Sequence, residues 1–117
     1  KGGEIIVLGN RTELKQAFTR TAILSNEKYR GVRFVLEQGM LTLTANNPEQ
    51  EEAEEQVVVD YTGDEVEVGF NVSYLQDVAN VIDSEMIKIT MADNNSSALI
   101  EDPENDDSLY VVMPMRL

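Results

Sequence analysis

Residues 65–83, EVEVGFNVSYLQDVANVID, decide the fold, because a strand pattern with one wet face runs directly into an amphipathic helix. Apolar and acidic side chains alternate at the start, which is typical of a strand that buries one face. Asn71 stands where its side chain can cap the following helix. Residues 4–24, EIIVLGNRTELKQAFTRTAIL, repeat the order, with Thr12 as the expected cap. The chain therefore contains a strand–helix unit twice.

Both helices carry apolar side chains at helical spacing, which predicts one buried stripe on each. The first stripe consists of Leu14, Ala17, Phe18, Thr21 and Ala22, and the second of Tyr74, Leu75, Val78, Ala79, Val81 and Ile82. These stripes predict that both helices pack on one face of a sheet.

Three further strand patterns follow each helix. After the first helix, a hairpin turns at Gln38-Gly39, and a third strand closes on Val57–Val59. After the second helix, the strand patterns cover residues 86–92, 97–101 and 108–115. The two halves, about 4–61 and 65–114, therefore predict an α+β domain with antiparallel sheets and both helices on one face.

The composition bounds the size and excludes several chemistries. A chain of 117 residues suits one domain. The absence of Cys and His excludes disulfides, thiolate nucleophiles, Ser-His-Asp triads and most zinc sites. No apolar run approaches the ~20 residues of a membrane span. Residues 1–4 do not resemble a signal peptide, so we expect a cytoplasmic domain cut from a longer chain.

Charge is distributed unevenly along the chain. The net charge is −13. Residues 1–48 hold seven basic and four acidic side chains, whereas residues 49–117 hold two basic and eighteen acidic side chains. Five carboxylates lie within residues 49–55, either as a solvated face or as a docking surface for a basic partner. A second acidic cluster, residues 101–107, predicts a loop. Binding of nucleic acid by bulk attraction is therefore disfavoured.

The first helix also carries candidate contacts outside its stripe. Ile23 lies opposite the stripe and Leu24 at its margin. Either the helix ends before Ile23, or this side chain contacts another subunit within an interface of apolar centre and charged rim. Lys15 and Arg20 lie on the polar face, where they could touch phosphates without reading bases.

The carboxyl end, residues 110–117, is unusually apolar for a terminus. We expect a last strand as far as Met113 and an end to the ladder at Pro114, with Met115 and Leu117 beyond it. Flexible Met side chains suit a groove that accepts varied apolar peptides.

A carboxylate-dependent enzyme is the alternative class of function. Its magnesium ligands would come from Glu101, Asp102, Asp106 and Asp107. These residues are expected in a loop without a neighbouring base or nucleophile, so we favour a binding domain without metal or cofactor.

Four segments resemble the bacterial sliding clamp, the beta subunit of DNA polymerase III. They are TAILSNEKYRGVR at 21–33, TANNPEQEEAEE at 44–55, GFNVSY at 69–74 and YVVMPMRL at 110–117. The resemblance covers the third and last domain of that family. It implies a DNA-clamp domain and a non-catalytic processivity factor, whose full-length chains form a head-to-tail dimeric ring around duplex DNA with the helices facing the hole.

The resemblance also implies three contact surfaces. A groove for the clamp-binding motif of polymerases, the clamp loader and repair proteins would include Tyr29, Asn71, Tyr74, Ser97, Val111, Val112, Met113, Pro114, Met115, Arg116 and Leu117. The subunit interface would include Ile23, Leu24, Glu49, Glu51, Glu52, Glu54 and Glu55. The DNA-facing residues would be Lys15, Arg20, Gln76 and Asn80. Asn95 stands where some members carry an apolar residue. The partner surfaces lie outside this chain, so we expect it alone to be monomeric and to bind duplex DNA negligibly.

Overall fold

The computed structural model describes residues 5–24, 31–46, 52–93 and 96–115. Strands and helices follow one another in the order that the sequence predicts. The elements are β1 Ile5–Asn10, α1 Arg11–Leu24, β2 Gly31–Glu37, β3 Met40–Asn46, β4 Glu52–Asp60, β5 Val66–Asn71, α2 Val72–Val81, β6 Met86–Met91, β7 Ala98–Asp102 and β8 Asn105–Val112. Neither helix described here is long and apolar enough to cross a membrane.

The strands form one antiparallel sheet in the order β5-β2-β3-β4-β1-β6-β7-β8. The first strand of each half pairs in the other half, since β1 pairs with β6 and β5 pairs with β2. Between β1 and β4 only two residue pairs join, Leu8 with Asp60 and Gly9 with Val59. At the far ends of the sheet, the amide of Met115 donates to the carbonyl of Gly69 at 2.7 Å. Each half therefore completes the sheet of the other, which confirms the predicted α+β class.

The two helices pack against each other and on the sheet, so that one continuous core forms within the chain. Phe34 on β2 and Phe70 on β5 meet edge to face, with ring centroids 5.3 Å apart. Gly9 is needed where β1 passes under α1, because a Cβ there would lie 2.8 Å from Cδ1 of buried Leu14. The core is therefore closed by residues from both halves.

The helix caps confirm one prediction and correct another. Asn71 caps α2, since its Oδ1 accepts from the amide of Ser73 at 2.8 Å. The prediction of Thr12 as the cap of α1 is wrong. The helix begins at Arg11, and Oδ1 of Asn10 accepts from the amide of Glu13 at 3.0 Å. Each helix is thus capped by the Asn that ends the preceding strand.

The second acidic cluster is not a loop, contrary to the prediction. Strands β7 and β8 run into it from both sides and leave only Pro103 and Glu104 between them. The carboxylate of Asp102 is buried and accepts from the amide of Glu104 at 2.8 Å, which stabilises the tight turn. Polar composition predicts a loop here, but an Asp side chain that accepts a hydrogen bond from the nearby backbone can also stabilise a tight turn between two strands.

The apolar stripe of α2 is narrower than the spacing predicts. Leu75, Val78 and Ala79 are buried, whereas Tyr74 and Val81 are exposed. Strand β8 also ends earlier than predicted, at Val112, and Met115 makes an isolated bridge to β5 instead. The exposure of Tyr74 and the early end of β8 both add apolar surface near the carboxyl end.

Candidate protein- and DNA-binding surfaces

Four large apolar side chains are exposed where β8 ends beside the start of α2. We call them the carboxyl-terminal patch: Tyr74, Val111, Met113 and Met115, between 38 and 65% exposed. Such side chains are normally buried, and a group of them at one place indicates a contact surface.

Main-chain geometry brings the two parts of this patch to one corner of the fold. The hydrogen bond from Met115 to Gly69 holds the chain after Pro114 on the end of β5, two residues before Asn71. Because Asn71 caps α2, Tyr74 projects from the first turn of that helix. Met115 is therefore held by its hydrogen bond to β5, close to the residue that caps α2.

Polar contacts define what this corner could offer a ligand. The hydroxyl of Ser97 donates to Sδ of Met113 at 3.0 Å, which restrains the flexible thioether. The helix cap occupies Oδ1 of Asn71 and leaves Nδ2 as the atom that could donate to a ligand. The corner thus combines apolar side chains with a polar group of fixed orientation.

The structure separates the predicted groove residues by role. Val112 alternates with its neighbours and lies in the core, so only its backbone could reach a ligand. Pro114 is half-buried. Tyr29, Arg116 and Leu117 lie outside the described residues, as does Asn95.

A shallow depression of about 360 Å³, lined by polar and charged residues, follows the exposed side of α1. We call it the α1 groove; it is lined by Arg11, Thr12, Lys15, Gln16, Thr19 and Arg20. Arg11 is held in place, because its Nε donates to the carbonyl of Ala79 at 3.0 Å and its amide donates to the carbonyl of Glu85 at 2.8 Å. Three cations along one helix face could contact a polyanion without sequence preference.

The sequence reasoning found two of these cations and missed the third. The helical spacing places Lys15 and Arg20 on the polar face, whereas Arg11 precedes Thr12, the cap that the sequence predicts, and so falls outside the predicted helix. Its spacing of four residues from Lys15 is the signal that could have found it. Gln76 is half-buried and Asn80 is exposed on α2, and neither lines the groove.

The predicted acidic interface lies on β4, where the strand divides its carboxylates between two faces. Glu52 and Glu54 are exposed on the outer face, whereas Glu55 is half-buried on the helix side. Glu55 meets Arg20 at 3.3 Å, so part of the like-charge repulsion on the strand is relieved within the chain. Glu49 and Glu51 lie outside the described residues.

Beside this ion pair lies an apolar side chain on a wet helix face. Helix α1 runs through to Leu24, and Ile23 is 79% exposed. The reading in which the helix ends before Ile23 is therefore wrong. Ile23 follows Arg20 by three residues, so the two are neighbours on the helix surface. Among the described residues, β4 is paired with β3 alone from Glu52 to Val58, which leaves one edge of that segment open.

The acidic residues of the alternative magnesium site have other roles where the structure describes them. No group of three or more acidic side chains in the described parts of the chain could hold a metal ion. The carboxylate of Asp102 serves the β7–β8 turn, and Glu101 lies 4.0 Å from Nζ of Lys88. The side chains of Asp106 and Asp107 lie outside the description.

This architecture, a strand, helix and three strands repeated within one sheet, is that of a DNA-clamp domain. Residues 1–116 match the family described as DNA polymerase III beta subunit, C-terminal domain, and the chain belongs to that family. The family resemblance stated from the sequence is thereby confirmed.

Named relatives agree with this assignment. The beta sliding clamp of Pseudomonas aeruginosa is 60% identical over 117 residues, covering 100% of this chain and 32% of the relative. The beta sliding clamp of Escherichia coli K12 is 57% identical over 104 residues, covering 89% of this chain and 28% of the relative. A crystal structure of the Pseudomonas aeruginosa DNA polymerase sliding clamp with ligand gives a TM-score of 0.95 at 60% identity, covering 100% of this chain and 32% of that one. The chain thus spans about a third of the length of the Pseudomonas aeruginosa clamp, namely 32%.

Proposed function

We propose that this chain is the docking domain of a cytoplasmic, ring-shaped processivity factor for bacterial DNA replication, and that it performs no chemistry itself. The observation that carries the proposal is the carboxyl-terminal patch, a group of exposed apolar side chains in a chain that belongs to the clamp family. Its ligand is a short peptide segment with apolar and aromatic side chains at one end, supplied by polymerases, the clamp loader and repair proteins.

The chemistry of the patch fits such a peptide. Two thioethers and a tyrosine ring offer adaptable apolar contacts, which suit several sequences that share only size and hydrophobicity. The fixed backbone of Met115 and the restrained Met113 lower the ordering cost of binding. A groove also needs an opposite side, which we assign to another part of the full-length chain. We therefore expect the isolated domain to bind on the order of 100 μM or more weakly.

The α1 groove would face duplex DNA inside the ring. Arg11, Lys15 and Arg20 provide the cations, whereas α2 contains no Lys or Arg. Cationic contacts with DNA in this domain would thus come from α1, whereas Gln76 and Asn80 on α2 could donate hydrogen bonds to phosphates. A ring that slides needs few and exchangeable phosphate contacts, since encirclement provides the retention on DNA. The net charge of −13 opposes tighter adhesion.

Strand β4, with the exposed carboxylates of Glu52 and Glu54, and Ile23 on α1 would form one side of the subunit interface. The open edge of β4 can extend a sheet across subunits, and Glu52 and Glu54 would meet a basic surface. Ile23 would supply the apolar centre. The interface joins unlike surfaces, so a head-to-tail ring is the expected assembly of the full-length protein.

A titration tests the docking assignment. A hexapeptide that ends in an aliphatic and then an aromatic residue is added to the ¹⁵N-labelled chain. We expect saturable shifts in the wild type and at least about tenfold weaker binding after Tyr74→Ser or Met115→Ser, because each removes a large apolar contact. Val58→Ser is the matched control, since Val58 is 70% exposed on the outer face of β4. Equal binding by all four proteins would refute the assignment.

A further inference from the structure

The outer face of the sheet continues the carboxyl-terminal patch away from α2. By strand register, Ile6, Thr90, Leu99 and Val111 form one row across β1, β6, β7 and β8. Neighbouring strands lie about 4.8 Å apart, so the row spans about 14 Å. Ile6, Leu99 and Val111 are all exposed. Val111 belongs to both surfaces and makes them continuous.

A second row lies beside the first and brings charge to its end. Leu8, Lys88, Glu101 and Leu109 are register partners across the same four strands. Leu109 is exposed, and Lys88 and Glu101 are half-exposed at 4.0 Å from each other. Beyond them the β7–β8 turn presents exposed Glu104. The surface is therefore apolar next to the patch, and because Lys88 and Glu101 offset each other, the negative charge toward the turn comes from Glu104.

The other half of the molecule provides an internal comparison. The outer face of β5, β2, β3 and β4 has Glu67, Val35, Thr42 and Gln56 in one row, with Gly69, Arg33, Thr44 and Glu54 in the next. Arg33 and Glu67 form an ion pair there. The clamp fold thus does not itself require an apolar outer face. The exposed apolar side chains of Ile6, Leu99 and Leu109 therefore distinguish the outer face of β1, β6, β7 and β8 from that of the other four strands.

We propose that this outer row, Ile6, Leu99, Leu109 and Val111, binds the segment of a partner protein that flanks the peptide in the carboxyl-terminal patch. The inference rests on the proposed function. The occupant is an extended segment with alternate apolar side chains followed by Lys or Arg. Its apolar side chains cover Leu99 and Leu109, and its cations meet Glu104, while Glu101 stays paired with Lys88. Contact with Val111 gives continuity with the patch, and the acidic end of the surface selects the basic residues.

Peptides of two lengths test this assignment on the wild-type chain. The short probe is the hexapeptide described above, and the long probes add Val-Thr-Val-Lys-Lys at its amino or its carboxyl end. We expect one long probe to bind at least about fivefold more tightly than the short one. Replacing its two Lys with Glu should abolish the gain, because like charges would then meet at the turn.

Variants of the chain then locate the gain. Leu99→Thr with Leu109→Thr keeps strand propensity and removes the apolar contact. It should reduce the long probe to the affinity of the short one and leave the short one unchanged. Val58→Thr, on β4 in the other half of the sheet, should change the affinity of neither probe. If neither probe binds the wild type, both the proposed function and this inference are wrong. If the short probe binds and the long ones bind no more tightly, or if the double variant retains the gain, the outer row alone is refuted.

Discussion

Replacing Glu55 with Gln would remove the charge that Arg20 meets between β4 and α1. At the observed 3.3 Å, two unit charges attract by about 1.3 kcal/mol in water. Side-chain ordering opposes this gain, and the Arg20 side chain is 60% exposed while that of Glu55 is 26% exposed. We therefore expect E55Q to destabilise the chain by about 0.3–1 kcal/mol, which is the range of such surface pairs.

A neighbouring carboxylate gives a control of opposite sign. Glu54 lies on the other face of the same strand, so E54Q only reduces the repulsion of a chain with net charge −13. Its stability should be unchanged or slightly raised. Urea unfolding of both variants and of R20Q, with the double variant R20Q/E55Q to close a mutant cycle, separates the pair from the general charge effect.

The dependence of the stability loss on salt concentration tests whether the attraction between Arg20 and Glu55 is its cause. The loss in E55Q should shrink toward zero near 1 M NaCl, where screening acts over about 3 Å. A loss that persists at high salt, or a coupling energy of zero in the cycle, would contradict the reasoning. In the proposed ring, Arg20 would face DNA from the α1 groove and Glu55 would face the neighbouring subunit from β4. DNA and the neighbouring subunit would therefore each compete for one member of the pair.

Three further predictions concern the fold and the state of the chain. Gly9→Ala should cost about 1–3 kcal/mol in urea unfolding, because its Cβ would lie 2.8 Å from Leu14 and 3.2 Å from Val59, both buried; an unchanged midpoint would argue against this close packing. Burial, and then the charge of Asp64, raises the pKa of Tyr61 above its ordinary 10.0, and its hydroxyl donates to the carbonyl of Asp64 at 2.6 Å. The resulting stabilisation is complete below pH 10.0 and is lost as pH rises through the higher folded pKa. Tyr61→Phe should therefore lower the free energy of unfolding by about 1 kcal/mol at neutral pH, and the stability of the variant should fall less steeply at alkaline pH. Parallel pH profiles of the variant and the wild type would contradict the raised pKa. The isolated chain should sediment as a monomer at micromolar concentration, and a stable dimer would show that this chain alone contains both interface surfaces.

Local features of the fold could be predicted because they depend on neighbouring residues. The Asn71 cap, the Gly39 turn with its φ of 75° and the α1 stripe each follow from a few consecutive side chains. The error at Thr12 is of the same local kind and amounts to two positions. Composition failed at Asp102, because a buried carboxylate that accepts a backbone hydrogen bond stabilises a tight turn.

Features that join distant parts of the chain could not be predicted. The exchange of β1 and β5 between the halves depends on pairing across many residues, and no local pattern records it. The Arg20–Glu55 pair joins residues 35 positions apart, and Tyr74 is exposed although its spacing places it in the apolar stripe of α2. Residue patterns indicate the acidic run, Ile23 and the apolar carboxyl end as contact candidates, whereas the family resemblance adds Tyr74, which the pattern alone would not distinguish from a core residue.

The five methionines allow the most direct test of the docking surface. With ¹³C-labelled ε-methyl groups, the chain should give five signals as the hexapeptide is added. We predict shifts, and contacts with the aromatic ring of the peptide, at Met113 and Met115 alone, while buried Met91 and half-buried Met40 and Met86 stay unchanged. Peptide contacts at Met40 or Met86, with Met113 and Met115 unmoved, would contradict the assignment of the carboxyl-terminal patch as the peptide site.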